Sequence, residues 1–169
     1  MKILIFSDSH QDKSSIKKML EHERNTDKIY CSGDSGLSLQ ELKKLNIISI
    51  KGNYPFAPKL PIEKILKLSS FKVLLTHGHK YHVKFGLKRL FDKALKLKVD
   101  LVVFGHTHQI HLENNKSFIA LNPGALSIRR SYNYPSYARV FIEDKKIVIE
   151  IINLLDFKVE KRLEKEKDE

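Results

Sequence analysis

The sequence predicts an α/β fold with two sheets, and three observations carry that expectation. Up to about residue 104, short apolar runs alternate with amphipathic stretches, in units that imply a parallel sheet with helices against it. From Ile110 onward the pattern changes to short strands joined by turn pairs, so the back part of the chain is expected to build a second sheet. A length of 169 residues, 41% of them hydrophobic, suffices for one domain with a sizeable core.

The elements follow in order. Residues 2–7 form a strand that stops at Ser7-Asp8, too short for a signal-peptide core. Asp12 or Ser14 caps a helix reaching about Arg24, with Ile16, Met19 and Leu20 on its apolar face. Residues 28–31 are the next strand. Ser38 opens a short helix through Leu45, and 47–51 is a third strand. A strand at 71–76 precedes a helix over 83–97, which turns Val83, Leu87, Leu90, Ala94 and Leu97 inward. Its lysine face, with Lys84, Lys88, Lys93 and Lys96, reads as solvated. A strand at 101–104 follows, then turns at Asn114-Asn115 and Asp144-Lys145. The domain spans 1–157. The charged C-terminal tail, 158–169, reads as a frayed helix or disorder.

Composition excludes several classes. The single cysteine, Cys31, permits no intrachain disulfide and reads as a buried, inert thiol. No apolar run approaches the length that crosses a bilayer, so a cytoplasmic protein with no membrane partner is expected. The net charge of +11 reads as a lysine-rich compositional bias. There is no basic stripe with interleaved aromatics, so nucleic acid is not the expected partner. A homodimer is left open; no sequence element shows one.

Polar clusters stand where strands end: Asp8-Ser9-His10, Gly33-Asp34, Gly52-Asn53, His77-Gly78-His79 and Gly105-His106-Thr107-His108. Asp, His and Asn are the side chains that hold divalent metals while leaving positions open for water and substrate. In extended backbone, Asp8 and His10 project to the same side, as do His106 and His108. The glycines before Asp34, Asn53 and His106 are expected to permit tight turns.

In this order the clusters resemble the calcineurin-like metallophosphoesterases. The nearest pattern is the small single-domain phosphodiesterase subfamily that also includes a retromer subunit. The resemblance covers roughly residues 1 to 152 and takes in Asn122-Pro123-Gly124-Ala125, read as a backbone turn under the site. It implies a two-sheet β sandwich flanked by helices, the four-layer α/β/β/α metallophosphoesterase fold. It also implies two divalent metal ions: Asp8, His10 and His108 hold the first, Asn53, His77 and His106 the second, and Asp34 bridges both. Two such cations against two carboxylates leave an excess of about two positive charges, which attracts a phosphate ester. A water between the metals becomes a hydroxide nucleophile near neutral pH. Mn²⁺ is the expected metal, and Ni²⁺, Co²⁺, Fe²⁺ or Zn²⁺ suit the same ligands.

One departure matters. Many members place a histidine after Gly-Asn as the general acid, and here the run is Gly52-Asn53-Tyr54-Pro55-Phe56. Without that donor, esters whose leaving group departs readily are favoured. His79 is the candidate catalytic residue, contacting the phosphate or donating a proton. His22, His82 and His111 read as surface residues, and Arg129 and Arg130 as solvated. The expected function is a metal-dependent phosphodiesterase acting on a small phosphodiester or nucleotide. A phosphomonoesterase and a non-catalytic scaffold are the rivals.

Overall fold

The computed structural model describes residues 1–55 and 59–167. Phe56 of the run after Asn53, and the last two residues of the tail, lie outside the described residues. In chain order the elements are β1 Lys2–Phe6, α1 Lys13–His22, β2 Lys28–Cys31, α2 Leu39–Lys44, β3 Ile47–Ser49, β4 Glu63–Leu68 and β5 Phe71–Thr76. After a single 3-10 turn at His79–Tyr81 come α3 Lys88–Leu97, β6 Leu101–Val103, β7 Ile110–Asn115, β8 Phe118–Pro123, β9 Ser136–Glu143, β10 Lys146–Asn153 and β11 Val159–Glu166.

Two mixed sheets result, ordered β11-β10-β9-β1-β2-β3 and β4-β5-β6-β8-β7. The period-two rule explains how β1 serves two layers at once. Ile3 and Ile5 face the second sheet, in a core shared with Val73, Leu101, Ile119 and Ile149. Leu4 and Phe6 face Ile16 and Met19 of α1 and Leu42 of α2. On the far side, Leu74, Val102 and Phe118 receive Leu90 and Ala94 of α3. Strands buried on both faces read as continuous apolar runs. The layers are therefore α/β/β/α, as the resemblance implied.

Caps set the helix starts. The Asp12 side chain accepts from Ser15 N, and Ser38 with Glu41 forms a reciprocal capping box. α3 begins at Lys88, later than the expected residue 83, because the stretch before it turns through Gly86 at φ 141.

The structure corrects the expected second sheet, the tail and one turn, and adds a strand. The back part of the chain does not build a sheet of its own: β7 and β8 complete the second sheet, while β9, β10 and β11 extend the first. Strand β4 was not legible in the sequence; it pairs antiparallel with β5, Leu68 opposite Phe71, and leaves Ile65 and Lys67 exposed on one face. Finally, the charged tail is not a helix. Residues 159–166 form edge strand β11 against β10, with Ile149 opposite Leu163. Cross-strand pairs Lys146–Glu164 (2.5 Å) and Arg162–Glu150 (3.6 Å) match its charges, and charge is what blunts an exposed sheet edge. Of the two expected turns, Asp144-Lys145 stands, and the other is displaced to Lys116-Ser117, since Asn115 pairs with Phe118. Among the described residues, no helix is long and apolar enough to cross a membrane.

Candidate metal centre

Every cluster lies just beyond the carboxyl end of a strand: Asp8 after β1, Asp34 after β2, Asn53 after β3, His77 after β5, His106 and His108 after β6. The loops interlock through their backbones. Asp8 N donates to Gly33 O at 3.1 Å, His10 N to Asp34 O at 2.9 Å and Gly105 N to His77 O at 3.2 Å. His106 N donates to the Asp8 carboxylate (Oδ2) at 3.0 Å.

These side chains are not presented from extended backbone, as their spacing suggested. Asp8, His10, Asp34, His106 and His108 all lie in the left-handed region, at φ 53, 44, 53, 68 and 60. Each such residue costs about 1 kcal/mol or more and persists only where its surroundings over-determine it. Asp and His tolerate the region better than most residues, and the chain turns left-handed two or three residues past each of these strands. The glycines also divide differently from expectation. Gly33 makes a left-handed turn at φ 106. Gly52 and Gly105 supply room: a Cβ on Gly52 would overlap the Asp34 carboxylate, and one on Gly105 would overlap Ser7 Oγ and come within 2.7 Å of Asp8 Oδ2.

Asp8 is fully buried, and its Oδ1 has no hydrogen-bond partner among the described residues. Around it stand three imidazole nitrogens: Nε2 of His108 at 3.2 Å, His10 at 3.7 Å and His77 at 3.8 Å. Burial raises the Asp8 carboxyl, yet His10, His108 and His77 together pull it far below the usual carboxylate range. Asp34 is governed the same way: burial raises it, and His77 with the Tyr54 N–H (2.9 Å) brings it down further.

The His77 tautomer follows from geometry. Its Nδ1 lies 2.8 Å from Ser32 O, and a carbonyl only accepts, so Nδ1 carries the hydrogen. Nε2 is thereby turned toward Asn53 Oδ1 (3.1 Å) and Asp34 Oδ2 (3.3 Å). Burial disfavours a charged imidazole here, but the two carboxylates outweigh it and raise His77. Lone pairs converging on one buried point call for a positive charge, and a divalent cation fits. Two trios offer donor atoms mutually within 4.8 Å: Asp8, His10 and His108, and Asp8, Asp34 and His77.

All seven sequence-predicted ligands thus come together, with Asp8 common to both trios. Asn53 and His106 border the second trio, and the His106 ring sits edge-on to His77 at 5.1 Å. Burial, then His77 and Lys84, push His106 down to about 4. His79 stands next in line, its ring 5.5 Å from His77 and 6.1 Å from His106, with Nδ1 buried and unpartnered. Burial, then His77 and Lys80, lower it below the ordinary histidine value.

Supporting residues escaped the sequence reading. Asn122 is more than part of a turn: its Nδ2 donates to Gly105 O and Thr107 Oγ1, each at 3.0 Å, and its Oδ1 accepts from Gly124 N at 2.9 Å. Its place in Asn122-Pro123-Gly124 was the only available signal. Gln11 Nε2 reaches the Tyr54 hydroxyl at 3.0 Å. Other histidines lie elsewhere: His22 stacks on Phe157 (3.6 Å between centroids), and His111 pairs with Glu113 at 3.0 Å. Cys31 is buried, and burial pushes its thiol up to about 12, inert as expected.

Comparison with known proteins agrees with this geometry. Residues 1–145 match the calcineurin-like phosphoesterase superfamily domain. The chain is similar to a Bacillus subtilis (strain 168) protein named "Probable metallophosphoesterase YsnB", 29% identical over 145 residues, covering 85% of this chain and 86% of that one. Among solved structures it is similar to a conserved uncharacterized protein of Streptococcus pneumoniae TIGR4, described as a predicted phosphoesterase. The TM-score is 0.84 at 26% identity, over 98% of this chain and 97% of that one. Zinc-bound Vps29 of Entamoeba histolytica shares the fold, at TM-score 0.76 and 24% identity, over 97% of this chain and 99% of the other.

Proposed function

Because this chain belongs to the calcineurin-like phosphoesterase superfamily, we propose that it is a phosphodiesterase acting on small diesters at a two-metal centre. The observation that carries the reading is Asp8 Oδ1: a buried carboxylate oxygen, unpartnered, faced by three imidazole nitrogens. On this reading Asp8, His10 and His108 would hold one divalent ion, Asn53, His77 and His106 would hold the other, and Asp34 would serve both, with Mn²⁺ the metal. Bound divalent ions supply Lewis acidity and bring the pKa of water near neutrality.

The chain's own residues do the positioning. Ser32 O fixes the His77 ring, and the Tyr54 N–H holds Asp34 Oδ1, leaving Oδ2 for the site. His79 is placed to contact a phosphoryl oxygen or to donate a proton. Tyr54 stands where an imidazole donor would be, which favours activated diesters over monoesters that need a strong acid. A non-catalytic scaffold is the second reading, since Vps29 shares the fold; the complete donor set supports the enzyme. The cytoplasm is the proposed compartment, which suits a chain with one cysteine.

The test is hydrolysis of bis(p-nitrophenyl) phosphate beside p-nitrophenyl phosphate, by metal-stripped protein with and without Mn²⁺, and by Asp34→Asn. Metal-dependent diester cleavage, faster than monoester cleavage and lost in the variant, is expected. Folded protein with no turnover on any divalent metal would bring the scaffold reading forward.

A further inference from the structure

Nε2 of His10 and Nε2 of His108 lie only 3.4 Å apart, yet each ring lines a cleft of its own. The His10 cleft, about 580 Å³, is also lined by Gln11, Lys13, Ile128 and Arg129. The His108 cleft, about 300 Å³, is walled by Tyr132, Asn133, Tyr134 and Lys161. One segment, 127–134 between β8 and β9, furnishes a wall of both. It is anchored at its root by Leu126 N on Ser7 O at 2.9 Å and Ile128 N on Asp12 Oδ2 at 3.2 Å. Residues Arg130 and Ser131 fold back on Ser127 O at 3.1 and 3.0 Å.

A phosphodiester has two limbs that diverge from one phosphorus, and here two clefts diverge from one pair of imidazoles. Resting on the phosphodiesterase reading, we propose that segment 127–134 sorts those limbs and selects a nucleotide-type diester. One limb, bearing a further anionic group, lies in the His10 cleft against Arg129. The other, ending in a planar ring, lies in the His108 cleft against Tyr132.

Side-chain chemistry, more than net charge, decides which limb goes where: Lys161 in the His108 cleft is a point charge, whereas Arg129 in the His10 cleft offers a planar fork. In the His10 cleft, Lys13 is engaged by Glu41 at 2.5 Å. The Asp12 carboxylate is occupied by Ser14 Oγ (2.6 Å), Ser15 N (3.1 Å) and Ile128 N (3.2 Å). Arg129 has no ion-pair partner among the described residues, and a guanidinium grips phosphate in bidentate fashion. An exposed arginine is usually just solvated; this one lines a cleft that a metal-site histidine also lines and that is wide enough for a nucleotide. Across the segment, Tyr132 is 73% exposed, a large ring available for stacking.

The test uses thymidine 5′-(p-nitrophenyl phosphate) with and without a 3′-phosphate, substrates that differ only by the added anion. The wild-type protein is expected to show a KM about tenfold lower for the 3′-phosphorylated ester, the worth of one charge-assisted contact. Arg129→Gln brings the ratio of the two KM values to about one. Calorimetric binding of thymidine 3′,5′-bisphosphate against thymidine 5′-monophosphate, to the same two Mn²⁺-loaded proteins, shows the same preference and its loss without turnover. Equal KM and Kd values in the wild type, or a preference that survives Arg129→Gln, would overturn the assignment. Tyr132→Ala raises KM for both esters; an unchanged KM removes the aromatic arm. If neither ester turns over while the binding preference holds, the phosphodiesterase reading fails and the anion subsite stands.

Discussion

Asn122 Nδ2 donates to Gly105 O across 3.0 Å, tying the end of β8 to the loop that carries His106 and His108. The same nitrogen reaches Thr107 Oγ1, while the amide oxygen receives Gly124 N. One buried amide therefore holds the metal-site loop in its left-handed turns. Asn122→Asp keeps the Gly124 contact but sets an acceptor against Gly105 O. A loss of about 1–3 kcal/mol in urea unfolding, with weaker metal retention, is expected; unchanged metal retention would show that the loop holds its shape unaided.

Asp8→Asn should fold, because Asn tolerates the left-handed backbone and can still accept from His106 N. It removes the one negative charge that His10, His77 and His108 share. Metal content after dialysis should fall more than tenfold, read by elemental analysis, while circular dichroism of the metal-free variant still shows a folded protein.

Gly52→Ala places a methyl group on the Asp34 carboxylate. Overpacking of this kind costs about 1–3 kcal/mol, and displacement of Asp34 should abolish diester hydrolysis. Retained activity at full stability would mean that the Asn53 loop moves aside freely.

Tyr54→His restores an imidazole beside Asn53 without touching the backbone N–H that holds Asp34. General acid catalysis contributes about 10²–10⁴-fold where it operates. The variant should gain more on esters with alkoxide leaving groups than on p-nitrophenyl esters, so the leaving-group dependence of kcat flattens. A slope equal to the wild type would show that no proton donor acts from this position.

Glu23 is buried away from the site, accepting from Tyr137 OH at 2.7 Å and Arg139 Nη1 at 3.1 Å and pairing with Lys2 at 2.8 Å. Burial raises its carboxyl, but Lys2, Tyr137 and Arg139 bring it below the ordinary value. A carboxyl depressed in the folded state stabilises fully above its unfolded pKa, and that stability is lost as pH falls through the folded value. Between about pH 5 and pH 3, the wild type should therefore lose stability more steeply than Glu23→Gln in urea titrations. Parallel curves would place the acid sensitivity elsewhere.

Much of this protein is legible in its chain. The runs at β1, β2 and β5, the caps Asp12 and Ser38, and the polar clusters at strand ends are local signals, set by side-chain period and hydrogen-bonding capacity within a few residues. These sufficed for an α/β fold, and the resemblance to the family picked the ligands out of the polar clusters. What the sequence could not decide was pairing. Whether β1 takes β9 as a neighbour, Lys2 opposite Phe141, and whether 159–166 frays or closes an edge, Glu166 opposite Lys146, depends on partners beyond the reach of any local preference. The same holds for the site: the left-handed turns of Asp8 and His108, the room that Gly52 and Gly105 leave for carboxylates, and the grip of Asn122 exist only once five loops are pressed together. Residue type supplied the donors, and tertiary contact aimed them.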